Sequence, residues 1–104
     1  MTKVGFKRRL LAGCEEEYQK RHDAIWPDLV KLLGDRGISD YSLFLDAETH
    51  ILFGVLQIND KANLDSLPAE PIMQKWWAYM ADIMETNADS SPVSIPLKEV
   101  FFMK

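Results

Sequence analysis

Ile51-Leu52-Phe53-Gly54-Val55-Leu56 decides how the rest of the chain is read. The run has strand length, and both of its alternating faces are apolar, whereas a strand with one wet face reads apolar-in, polar-out. Its sheet is therefore expected to be covered on both sides. Just upstream, Tyr41, Leu43 and Leu45 alternate with Ser42, Phe44 and Asp46, and Ala47 to Thr49 turn the chain. Together with residues 51–58 they predict a β-hairpin.

Before the hairpin, periodicity predicts a strand from Val4 to about Leu11, a turn at Ala12-Gly13, and a helix from about Cys14 with glutamates in its first turns,. Pro27 disfavours helical geometry at Trp26, so the helix breaks there and restarts through Leu29, Val30, Leu32 and Leu33 until Gly34 and Gly37 stop it,. After the hairpin come a short helix near Ala62 to Leu67, a main helix from about Ile72 to Met84 entered through Pro68 and Pro71, a polar loop from Asn87 to Ser94, and a last strand from Leu97 to Met103. The order βαββαβ is the ferredoxin-like α+β arrangement, a four-stranded antiparallel sheet with helices on one face. A second copy packed on the other face, a homodimer of the dimeric α+β barrel type, would cover the doubly apolar strands. Phe101, Phe102 and Met103 repeat that signal.

At 104 residues the chain has the length of one domain, expected to span 1–104,. Its 12 basic and 16 acidic residues leave a net charge of −4, which argues against a nucleic-acid partner. In Lys7-Arg8-Arg9, strand alternation puts Arg8 opposite its two neighbours, and the run reads as a solvated rim,. Cys14 is the single cysteine, no run approaches the ~20 apolar residues of a membrane span, and no leader pattern opens the chain,. A cytoplasmic protein without a membrane partner is expected. His50, in the hairpin turn, has no metal-ligand spacing to His22 or Cys14, so it reads as solvated and no metal is indicated,.

The chemistry concentrates around His22. Tyr18 lies four residues before it and Trp26 four after it, so a phenol and an imidazole share one helix face beside an aromatic wall,. Imidazole, with an ordinary pKa near ~6.5, offers both proton forms at neutral pH. The plainer reading of a lone helical histidine is a surface residue. Trp76 and Trp77 form the second cluster. Met73, Trp77, Met80 and Met84 follow helical spacing and make a core stripe, but adjacent residues point ~100° apart, so the other indole must reach the helix edge. Two such rings with N–H donors suit a ligand with an apolar face and a hydroxylated rim, as a sugar has. Tyr41, at a strand entrance, has ordinary β propensity and the reach to line a cleft between sheet and helix.

Tyr18, Arg21-His22, Ile25-Trp26-Pro27, Tyr41 to Asp46, Trp76-Trp77 with Tyr79-Met80, Ser91 to Ser94 and Glu99-Val100-Phe101 together resemble the L-rhamnose mutarotase family. The resemblance spans nearly the whole chain. It implies a cytoplasmic, cofactor-free homodimer of ferredoxin-like subunits, an isomerase that interconverts the α and β anomers of L-rhamnose. It further implies that His22 is the proton donor and that Tyr18, Tyr41, Trp76 and Trp77 bind the sugar. Two departures stand out: Ala88 and Ser90 where the family pattern has Pro and Asn, and Asp28 where it has Glu. The same architecture also accommodates a cofactor-independent monooxygenase with a drier, quinol-sized pocket, or a non-enzymatic dimer that binds a small ligand.

Overall fold

The computed structural model covers residues 1–104 and has the element order β1 (Thr2–Arg9), α1 (Glu15–Asp23), α2 (Pro27–Asp35), β2 (Ile38–Asp46), β3 (Ile51–Ile58), α3 (Ala62–Ser66), a 3-10 turn (Leu67–Ala69), α4 (Pro71–Met80) and β4 (Ile95–Leu97). The four strands form one antiparallel sheet in the order β2-β3-β1-β4. This is the ferredoxin-like α+β fold expected from the element order.

Register explains why β3 is apolar on both sides. Leu52, Gly54, Leu56 and Ile58 are buried under the helices, while Phe53 and Val55 lie on the opposite, outer face,. On that outer face Phe53 pairs with Phe44 and Lys7, and Lys7 with Ile95, while Val55 pairs with Gly5, and Gly5 with Leu97. The inner face and the helices enclose the core: Leu10, Tyr18, Leu29, Leu52, Met73, Trp76, Met80, Ile83 and Met84, continued by Phe6, Leu56 and Ile58. Gly54 has a packing reason, since a Cβ there would lie 2.2 Å from Cζ of Phe6. Only a glycine lets that ring lie across the sheet.

Several boundaries differ from expectation, each for a physical reason. β2 begins at Ile38, not Tyr41, with a bulge between Ser39 and Ser42. Ile38 pairs with Ile58 and Leu43 with Gly54, both inner positions, yet they are five residues apart. An extra residue restores the two-residue alternation, and Asp40 supplies it at φ 49°,. α2 runs through Gly34 to Asp35, and the chain turns at Gly37 with φ 82°,. α4 stops at Met80 rather than Met84 because the following segment pairs with the end of β1: Leu11 N–H donates to Ile83 (2.9 Å) and Glu85 N–H to Arg9 (3.0 Å). Ile83 and Met84 stay buried, so the apolar spacing is kept while the helix is not.

The last strand is the largest correction. β4 occupies Ile95–Leu97, and Val100, Phe101, Phe102 and Met103 lie beyond it, with Val100 86% exposed. A cation–π contact, Lys3 Nζ 4.1 Å from the Phe102 ring, links that tail to the sheet. The segment has strand propensity but finds no backbone partner within this chain,. His50 is also corrected: it sits at φ 60°, half-buried, with Nδ1 3.0 Å from the Glu15 carboxylate and its carbonyl accepting from Leu10 N–H. Its backbone ties the hairpin tip to the segment after β1, and its Nδ1 lies near Glu15 without a hydrogen bond.

Candidate active site

A cavity of about 660 Å³ opens between the inner face of the sheet and the helices, within the size range of small-molecule sites. Tyr18, His22, Tyr41, Trp76 and Trp77 all line it. α1 is a polar helix whose one buried residue is Tyr18. One turn on, the His22 ring stacks on the Tyr18 phenol with centroids 4.2 Å apart, and its other side meets Trp76 edge-on at 5.4 Å.

The imidazole's tautomer follows from its one hydrogen bond. Nδ1 lies 3.0 Å from the Tyr18 carbonyl, and a carbonyl only accepts, so Nδ1 carries a proton and donates it. Nε2 is left to exchange a proton with a ligand. Burial pulls the His22 pKa below its ordinary 6.5; the bond to the Tyr18 carbonyl opposes this, the Arg8 charge adds to it, and Asp23 opposes it weakly,. Burial, with a smaller contribution from Tyr41, pushes the Tyr18 phenol well above its ordinary range. At neutral pH that phenol keeps its proton.

The tryptophans divide their work, but not as the spacing suggested. Trp76, not Trp77, joins Met73 and Met80 in the buried stripe, at 6% exposure, while Trp77 is half-buried at the helix edge. Trp76 meets Trp26 edge-on at 5.0 Å, and Trp26 stacks on Tyr79 at 5.6 Å. Trp26 owes its place to Pro27, which holds it extended (φ −63°, ψ 128°) at the head of α2,. Tyr41, displaced by the bulge, lies edge-on to Phe6 at 6.0 Å.

Two residues that spacing did not single out complete the site. Arg21 bonds Glu17 (2.8 Å), Asp82 (2.8 and 3.2 Å) and the Tyr79 carbonyl (2.8 Å), and its guanidinium covers the Tyr79 ring. It clamps α1 onto the end of α4, which sets His22 against Trp76. Arg8 lines the cavity and is no solvated rim. It shares the inner face with Val4, Phe6 and Leu10, and that parity was the signal that could have found it. Thr86, Ser90 and Ser94 add hydroxyls from the loop after α4. No group of three or more His, Cys, Asp or Glu side chains is placed to hold a metal ion.

A family model described as L-rhamnose mutarotase matches residues 3–103. The chain is 59% identical to the L-rhamnose mutarotase of Sinorhizobium fredii over 103 residues, 99% of each protein, and 52% identical to that of Phocaeicola vulgatus over 99% of each. The crystal structure of L-rhamnose mutarotase from Formosa agariphila superposes with a TM-score of 0.93 at 45% identity, covering both chains completely. An antibiotic biosynthesis monooxygenase, at 15% identity, TM-score 0.52 and coverage of 96% and 99%, shares the fold alone.

Proposed function

The chain belongs to the L-rhamnose mutarotase family, and on that premise we propose that it interconverts the α and β anomers of L-rhamnose by opening and reclosing the hemiacetal ring. The observation that carries the chemistry is the His22 imidazole in the cavity wall, with Nδ1–H held by the Tyr18 carbonyl and Nε2 available. In its imidazolium form, with Nδ1–H still held by the Tyr18 carbonyl, His22 gives the Nε2 proton to the ring oxygen as the anomeric hydroxyl loses one, and it regains that proton when the ring recloses,. The bond from C1 to the ring oxygen breaks, and the open chain has an aldehyde at C1. Rotation about C1–C2 and reclosure on the other carbonyl face, with the proton movements reversed, gives the second anomer. Water and Asp40, the one carboxylate lining the cavity, are the acceptors for the anomeric proton. Tyr18 and Tyr41 donate to sugar hydroxyls, and the indoles of Trp76 and Trp77 receive the sugar's apolar face.

Residues 1–104 act as one domain, and the working form is a homodimer in the cytoplasm. Support for the dimer is the outer sheet face, where Phe44, Phe53, Val55, Ile95 and Leu97 are exposed on a single chain,. No helix is long and apolar enough to cross a membrane, and Cys14 is free. NMR exchange spectroscopy on L-rhamnose tests the activity: catalytic amounts of protein should accelerate exchange between the two anomeric signals. Sugar binding without faster exchange would leave a binding protein and sink the enzymatic reading.

A further inference from the structure

Four arginines occur in the chain, and three of them meet a carboxylate: Arg9 with Glu85, Arg21 with Glu17 and Asp82, and Arg36 with Glu70. Arg8 meets none. It is also the one lysine or arginine among the residues lining the cavity. Its sole hydrogen bond runs from Nε to Ser94 Oγ at 3.3 Å, which leaves both Nη groups without a protein partner. The guanidinium is nevertheless held in place, because Cζ sits 4.4 Å over the Phe6 ring, and Phe6 is itself fixed across the sheet above Gly54,. An orientated, uncompensated cation in a ligand cavity is costly to keep unless it faces an acceptor.

The proposed reaction supplies such an acceptor. When the anomeric hydroxyl gives up its proton and before the ring bond has broken, its oxygen carries negative charge. Tyr18 is a neutral donor, and the phenol alone supplies no charge. We propose that Arg8 contacts the substrate, its Nη groups donating to the anomeric oxygen and stabilising the charge that develops there as the ring opens. Fixed donors aimed at developing charge act on the transition state more than on the bound sugar. Arg8 therefore belongs with His22 in the chemistry rather than in sugar affinity. This assignment rests on the mutarotase reading above.

The test uses the full-length protein and L-rhamnose anomer exchange measured by NMR. Arg8→Met keeps the apolar stem over Phe6 and removes the donors; it is expected to lower kcat by about 10²–10³-fold while KM moves far less. Arg8→Lys, which keeps the charge but not the fork, should fall between. Added guanidinium ion should restore part of the activity of Arg8→Ala. Arg9→Met, altering the neighbour on the opposite face, should exchange normally. A folded Arg8→Met protein with near-normal kcat, or one impaired only in KM, overturns the assignment, as does an Arg8→Lys protein with full kcat should Arg8→Met fail to fold. Failure of the wild type to exchange anomers would instead remove the mutarotase reading, and this inference with it.

Discussion

Leu52 and Phe53 are neighbours in β3 and meet opposite fates. Leu52 is 2% exposed beneath the helices, while Phe53, one residue on, lies on the outer face at 37%. The inner face is closed by helices of the same chain and admits polar chemistry, with Arg8 between Phe6 and Leu10 and His22 against Trp76. The outer face has an apolar centre of Phe44, Phe53, Val55, Ile95 and Leu97 with Lys3, Lys7 and Arg9 beside it, and His22, Tyr18 and Trp76 lie on the other side of the sheet. One strand pattern thus serves two purposes: a face that must recognise a ligand keeps a few polar groups held by neighbours, and a face that must be covered needs only area.

The largest effect is expected at the inner face's titrating group. His22→Ala is expected to cut anomer exchange by about 10²–10⁴-fold with unchanged circular dichroism, because a half-buried side chain beside a cavity is not a core support. Near-normal exchange in a folded His22→Ala protein would move the chemistry to another residue.

The adjacent pair in β3 separates the faces directly. Leu52→Ala should lower unfolding stability by about 2–5 kcal/mol in denaturant titrations. Phe53→Ser should cost a single chain much less, yet raise the dissociation constant of the dimer in sedimentation. Equal losses of stability, with assembly unchanged, would mean that the outer face does not hold a second copy.

A smaller effect is expected from pH. Since burial holds the folded His22 pKa below the ordinary 6.5, the unfolded chain binds the extra proton first as pH falls, and stability declines from about pH 6.5 down to the folded midpoint. Above pH 6.5 the contribution is fully present. NMR titration of the ring should give a midpoint below 6.5, and His22→Gln should flatten the stability profile in that window. A midpoint at or above 6.5 would contradict the environment described for this ring.

The smallest change concerns the loop at the cavity mouth. Ser90 has φ 72°, a left-handed conformation that asparagine tolerates better,. Ser90→Asn should stabilise the protein by up to ~1 kcal/mol, read as a small rise in the denaturation midpoint. A fall would show that the Ser90 side chain is worth more to the loop than its backbone preference.

Tyr18, His22 and Trp26 were legible because four-residue spacing on a helix is a local fact, and Pro27 set the break that turns Trp26 towards Tyr79. The doubly apolar β3 was legible as two apolar faces, of which the helices of this chain cover the inner one. The Lys7-Arg8-Arg9 run misled because charge suggested solvent, although the parity of Arg8 with Phe6 and Leu10 pointed inward. For Trp76 and Trp77, periodicity required the two to diverge, but the stripe was read through Trp77, whereas Trp76 is equally in phase with Met73 and Met80 and is the buried one. The final strand failed for a related reason: residues 98–103 have β propensity, but a strand exists only where a partner edge accepts its hydrogen bonds.

What the sequence determined by itself is the order of elements, the sheet's two apolar sides and the presence of a phenol–imidazole pair, since these follow from the 3.6- and 2-residue repeats of backbone geometry. Tertiary structure alone decided the rest. It decided that Asp40 bulges so that Ile38 and Leu43 both face inward, that α4 yields Ile83 and Met84 to the edge of β1, and that Arg8 stands unpaired in the cavity. Each of these depends on contacts between residues distant in the chain, and no local repeat carries that information.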